Sequence, residues 1–157
     1  MIFTRASQYA IRALTYLAAH HGSELSRLEK IAKDEKIPQP FLGKILQRLA
    51  QKRLVRSAKG LNGGFGLALS PEEITLYSIL NAIEDLSAKE SDCVLGLNIC
   101  SEQNPCALHH YWIDRRAKEL EFLNTMTLQH LCAERGQGKS PIGRELPAWA
   151  EVLEEKK

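Results

Sequence analysis

Residues 28–49, LEKIAKDEKIPQPFLGKILQRL, and residues 54–69, LVRSAKGLNGGFGLAL, decide the fold. In the first stretch Leu28, Ile31 and Ala32 fall on one face of a short helix that ends near Lys36. Ile37-Pro38-Gln39-Pro40 is a tight connection, and a proline is tolerated in the first turn of a helix, where its missing N–H has no partner to lose. Leu42, Ile45, Leu46 and Leu49 then recur at the i, i+3, i+4, i+7 spacing of a second helix, whose other face shows Gln39, Lys44, Gln47, Arg48 and Lys52. Extended runs around Leu54–Ser57 and Phe65–Leu69 flank the glycine-rich turn Ala58–Gly64, which reads as a hairpin. Two helices, a turn between them and a two-stranded hairpin are the order of a winged helix–turn–helix.

Upstream, Ala10, Ala13, Leu14 and Leu17 mark a helix from Arg5 to about His20, with Gly22 as its stop. Ser26 followed by Glu29 predicts a capping box for the short helix. Downstream, Ser70–Glu73 starts another helical region with Leu76, Ile79, Leu80 and Ile83 on one face. Residues 87–106 break the periodicity, and one long helix is expected from about Asn104 or Pro105 to Ala133. Its apolar content exceeds that of a lone solvated helix, so it should pack against something, a second copy of the chain in preference to its own domain. The expected organisation is a winged helix–turn–helix DNA-binding domain over 1–86, a cysteine loop over 87–106, a dimerisation helix over 104–133 and an extension over 134–157. The fold class is mainly α with a two-stranded wing.

Charge is divided unevenly. Residues 1–60 hold 12 Lys/Arg against 4 Asp/Glu, a net of +8, and the remainder holds 9 against 15, a net of −6. A basic first part with an ordered reading motif points to DNA. Gln39, Pro40, Phe41, Lys44 and Arg48 stand on or near the presenting side of the second motif helix, the one that enters the major groove in this architecture. Gln suits adenine, Arg and Lys suit guanine or phosphate, and an aromatic ring can touch a thymine methyl. Lys59 and Asn62 can hold phosphates or enter the minor groove, and Gly60, Gly63 and Gly64 permit a tight turn and close backbone approach.

The cysteines follow the pattern Cys93-x6-Cys100-x5-Cys106, with His109 three residues on. Three thiols within fourteen residues invite soft-metal ligation. Neither a signal peptide nor a membrane span is apparent, so a cytoplasmic location is expected, where thiols stay reduced and disulfide frameworks are rare. Spacing alone leaves an iron–sulfur cluster, Cys3His zinc and unligated thiols open. Once the helix has begun, Cys106 and His109 project from one side, whereas His110 points about 100° away. Cys132 reads as a small packing residue.

Taken together these residues resemble the family of iron–sulfur winged-helix transcriptional repressors that includes the cluster-assembly and nitric-oxide-sensing regulators. The resemblance spans about residues 1–132 and rests on Tyr9-Ala10, Phe41-Leu42, Leu54-Val55 with the Gly60–Gly64 wing, Ile74-Thr75-Leu76, the cysteine loop through Trp112, and Phe122-Leu123-Asn124. It implies a homodimer on palindromic promoter DNA, with Cys93, Cys100 and Cys106 as cluster ligands. Cys106-Ala107-Leu108-His109 followed by Trp112 is similar to the stretch that supplies a histidine ligand in the cluster-assembly regulator. Some nitric-oxide sensors instead use an acidic residue near position 8, and here that position is Gln8. The resemblance therefore implies a 2Fe–2S cluster with His109 as fourth ligand, 4Fe–4S or zinc being the alternatives. The chain departs from the pattern in a first cysteine gap one residue longer, in Leu61-Asn62 where Pro-Gly is frequent, and in Gly43 where an acidic side chain is used. With no nucleotide-binding loop, dinucleotide fingerprint or serine elbow, an enzyme is not expected. An iron–sulfur electron-transfer or delivery protein and a zinc-bound regulator are the rival functions.

Overall fold

A computed structural model describes residues 3–134, apart from Ser23, Glu90 and Asn98. Helix α1 (Arg5–Ala19) is capped by the Thr4 hydroxyl, which accepts from the Ser7 N–H, and it buries Ala10, Ala13, Leu14 and Leu17 as the spacing predicts. α2 (Leu28–Asp34) and α3 (Gln39–Gln51) form the helix–turn–helix, with Pro40 in the first turn of α3. Both helices end in the same way. Ile37 N–H bonds to Ala32 O and Lys36 N–H to Lys33 O, while Leu54 N–H bonds to Leu49 O and Arg53 N–H to Ala50 O. These are Schellman closures, and the left-handed position is filled by Lys36 (φ 48°) and Arg53 (φ 60°), not glycine.

Strands β1 (Val55–Ala58) and β2 (Gly64–Leu67) pair antiparallel, Val55 opposite Leu67 and Ala58 opposite Gly64. Ser26 corrects the expected capping box: α2 has no side-chain cap, and Ser26 instead exchanges two backbone hydrogen bonds with Phe65. The wing sheet therefore gains a third chain at its edge. Pairing demand explains the choice, since both N–H and C=O of Ser26 are satisfied in a buried position.

α4 (Leu76–Glu84) starts later than the Ser70–Glu73 segment, which is a turn held by Ser70 N–H and hydroxyl bonds to the Glu73 carboxylate. These bonds lower the Glu73 pKa. Thr75 caps α4 through the Ser78 N–H. A one-turn α5 (Leu86–Lys89) follows.

The single helix expected over 104–133 is two. α6 runs His109–Thr125 and α7 runs Leu128–Glu134, separated by the extended Met126. The cause is tertiary: Leu76 N–H bonds to Met126 O and Leu128 N–H to Ile74 O, so the chain makes a β-bridge, Thr75 with Thr127, in place of another helical turn. α7 then packs on α1, and α6 packs on α4 through Leu123. One core thus unites α1–α4, the wing base, Leu123 and Leu128. Among the described residues no helix is long and apolar enough to cross a membrane. The extension expected over 134–157 lies, from residue 135 onward, outside the described residues.

Candidate nucleic-acid interface and cysteine site

Burial of Leu42, Ile45, Leu46 and Leu49 turns the opposite side of α3 outward. Phe41 is 63% exposed, and Lys44 and Arg48 follow it at i+3 and i+7, so the three make one stripe. Gln39 and Pro40 are exposed at the start of the helix, and the Gln39 amide donates to Glu29 Oε1 on α2 at 3.4 Å. In the wing Lys59 and Asn62 are exposed. Gly63 donates to the Gly60 carbonyl, and a Cβ there would lie 2.4 Å from Ala58 O. At Gly64 a Cβ would lie 2.6 Å from Ser26 O, so the three-chain edge requires glycine. One basic contact escaped the sequence reading: Arg27 donates to the Leu61 carbonyl at 2.6 Å, tying the start of α2 to the wing tip. Only its place immediately before α2 hinted at a role.

Behind the reading unit, α1 and α2 are joined by polar contacts. Tyr16 donates to Asp34 Oδ2 at 3.0 Å, and Arg12 Nε lies 3.5 Å from the buried Glu35 carboxylate. Burial, reinforced by Asp34, pushes the Tyr16 phenol up to about 12.

The cysteine segment is more ordered than the expected loop. Cys100 N–H bonds to Ser91 O, Asp92 bridges Ile99, and Gly96 N–H bonds to Cys93 O, which sets Ser91 and Asp92 beside Ile99 and Cys100 as in a narrow hairpin. This places Cys93 and Cys100 near its base. α6 begins only at His109, later than expected, so Cys106 is not helical; the bond from His109 N–H to Cys106 O joins them instead. Cys93, Cys100, Cys106 and His109 all line one cavity of about 380 Å³. No disulfide joins any of the four cysteines, and Cys132 is half-buried on α7.

Inside this cavity Cys100 Sγ lies 3.2 Å from His109 Nδ1. His109 is 1% exposed, while His110 stands outside it in edge-to-face contact. His109 Nε2 lies 3.1 Å from Glu102 Oε1 but makes no hydrogen bond of acceptable geometry, so this buried nitrogen is unsatisfied. N–H groups of Leu95 and Leu97 directed at Cys93 hold its thiol below the usual range, aided by Cys106 and the nearby Arg116. Arg116 also donates to the Asp92 carbonyl and lies 5.4 Å from the Trp112 ring centroid. Among the described residues no three His, Cys, Asp or Glu side chains are gathered tightly enough for a single metal ion. The donors share a cavity without converging on a point. Glu102 and Arg116 carried no signal in the sequence and meet the cysteine segment only through the fold, whereas Trp112 stood out only as part of the family resemblance.

Comparison with known proteins agrees with this architecture. A protein of Aquifex aeolicus (strain VF5) that carries the name of an HTH-type transcriptional regulator is 37% identical, over 92% of this chain and 100% of its own. The regulator NsrR of Bacillus subtilis (strain 168) is 30% identical over 83% of this chain and 90% of its own. The regulator IscR of Sodalis glossinidius is 29% identical over 83% and 78%. Among solved structures CymR, the global cysteine regulator of B. subtilis, superposes with a TM-score of 0.71 at 25% identity, covering 84% of this chain and 96% of that one. The model of a family described as iron-dependent transcriptional regulators matches residues 3–134. With its helix–turn–helix, its wing and this match over most of its length, the chain belongs to the Rrf2 family of transcriptional regulators.

Proposed function

We propose that this regulator is a repressor that binds palindromic promoter DNA as a homodimer. In this reading it senses iron–sulfur status, redox state or nitric oxide through a cluster held by Cys93, Cys100, Cys106 and His109. The observation that carries the reading is the shared cavity, lined by three thiols and by the buried His109, whose Nδ1 lies 3.2 Å from Cys100 Sγ. Soft thiolates with one imidazole suit iron–sulfur or zinc. A single tetrahedral zinc needs four donors meeting at one point, roughly 2.0–2.3 Å away. Donors spread around about 380 Å³ leave room for a group larger than one ion, in keeping with a cluster. When bound, the group supplies a charge and an occupancy that vary with iron supply and oxidants.

The chain's own residues provide the coupling. His109 is the first residue of α6, so holding or releasing its ring acts directly on that helix. Along the outer face of α6 run Tyr111, Asp114, Arg115, Lys118, Glu119 and Phe122, with Tyr111 81% exposed. A stripe of aromatic ends with mixed charges between them supports self-association, since opposite charges pair across a two-fold axis. The α3 stripe and the wing then meet DNA twice, and each reading head must differ in affinity between the two site states for sensing to occur.

Anaerobic purification tests the reading. A visible chromophore with stoichiometric iron and sulfide, lost in His109→Ala, is the expected result. A colourless chain with one zinc would defeat the cluster. Sedimentation gives the dimer directly. A sequence-specific gel shift that weakens steeply with salt separates a DNA regulator from an electron-transfer or cluster-delivery protein.

A further inference from the structure

Trp112 lies one turn beyond His109 on α6, and its Nε1 is buried without a hydrogen-bond partner. An indole nitrogen only donates, and a buried donor left unmade forfeits the water it gave up on folding. The ring is not loosely placed. Arg116, one turn further along, stacks on it and donates to the carbonyl of Asp92, the residue before Cys93. His109, Trp112 and Arg116 therefore form a row at i, i+3 and i+7, joined at one end to Cys100 and at the other to the Cys93 arm of the hairpin. Within that row His109 Nε2 has the Glu102 carboxylate 3.1 Å away, whereas the buried Trp112 Nε1 has no acceptor. The Trp112 donor, one turn along α6 from a residue that lines the cysteine cavity, calls for an acceptor that arrives with a ligand.

We infer that Trp112 is a positioning residue whose indole N–H donates a hydrogen bond to a sulfur of the loaded cysteine site, and that Arg116 holds the ring for it. The inference rests on the cluster reading given above. Its consequence is a second tie between the site and α6, one turn deeper than the ligand His109. Hydrogen bonds to cluster sulfurs favour the reduced, more electron-rich state and so help to set the reduction potential. The rival explanation is a buried water that accepts from the indole whether or not the site is loaded.

The test uses the full chain reconstituted anaerobically with ferrous iron and sulfide, wild type beside Trp112→Phe. The loaded variant is expected to have a more negative reduction potential and to lose iron to a chelator several-fold faster. Cluster-free W112F should keep its circular dichroism spectrum and melt within a few degrees of wild type. Equal potentials and equal release rates in a folded, loaded W112F would overturn the proposal and leave the cluster reading intact. A wild type that takes up no iron and sulfide would remove both. Should W112F fail to fold, Trp149→Phe leaves Trp112 as the single indole N–H signal in the ¹⁵N spectrum, since the chain has 2 tryptophans. That signal should shift or broaden on loading, and an unchanged signal sinks the idea.

Discussion

The Arg27 guanidinium donates to the carbonyl of Leu61, 2.6 Å away, so the first turn of the helix–turn–helix holds the tip of the wing. Leu61 itself is 88% exposed, and its backbone is anchored from outside the turn by this long side chain. Arg27→Ala should leave stability within about 1 kcal/mol, because the bond is exposed. It should weaken DNA binding several-fold by loosening Lys59 and Asn62. A tether and a direct phosphate contact differ in salt dependence. Loss of a tether leaves the slope of log affinity against log salt unchanged, whereas loss of a phosphate contact reduces it by about 1.

Two glycines should respond in opposite directions to alanine. Gly64→Ala drives a methyl to 2.6 Å from Ser26 O, a backbone atom that cannot move alone, and should cost about 1–3 kcal/mol. In α3 the nearest atom to a Cβ on Gly43 is Leu28 Cδ2 at an ordinary 3.5 Å. Gly43→Ala should therefore stabilise the chain by about 0.5–1 kcal/mol through helix propensity. Urea denaturation of the two variants checks both signs.

Lys36 and Arg53 occupy left-handed backbone at the ends of α2 and α3. That conformation strains a residue with a Cβ, and glycine relieves it at the cost of extra freedom in the unfolded chain. Lys36→Gly should raise stability by about 0.5–1 kcal/mol, seen as a higher melting temperature. A drop would mean that the Lys36 side chain makes a contact worth more than the strain.

Tyr16 gives the fold an alkaline limit. Its phenol ionises near 10 when exposed and at about 12 in the folded chain, chiefly because it is buried and also because it donates to Asp34. The folded state thus favours the protonated phenol. The stability this contributes is complete below pH 10 and is lost as pH rises through 12. Tyr16→Phe should lower stability at neutral pH by roughly 1 kcal/mol and flatten the decline over that alkaline window. Thermal melts at stepped pH measure both effects.

The helix positions were legible because burial repeats with the helical period. Ala10 to Leu17, Leu42 to Leu49 and Leu76 to Ile83 are read from spacing and found in the core. Ser26 was not legible. Locally it is a good cap, but its backbone pairs with Phe65, far along the chain. Met126 is similar: Thr125-Met126-Thr127 is no helix breaker by itself, and only Ile74–Leu76 draws it into an extended bridge. At the site, the cysteines and His109 stood out by type and spacing. Trp112 entered only as part of the family resemblance, and Glu102 and Arg116 are common residues whose neighbours are set by the hairpin, so nothing local announces those two.

The bridge between Thr75 and Thr127, with Leu123 returning to the core, closes the base of everything between α4 and the end of α6. The segment from Leu86 to Phe122 is therefore a cassette plugged into a scaffold that is already sealed behind it. Chain added to such an excursion costs little, about 0.6 kcal/mol for each doubling of loop length. A cysteine gap can lengthen by one residue, or a ligand type can be exchanged, without re-registering α3 or the wing. Evolution can thus vary this cassette while leaving the helix–turn–helix and its wing intact.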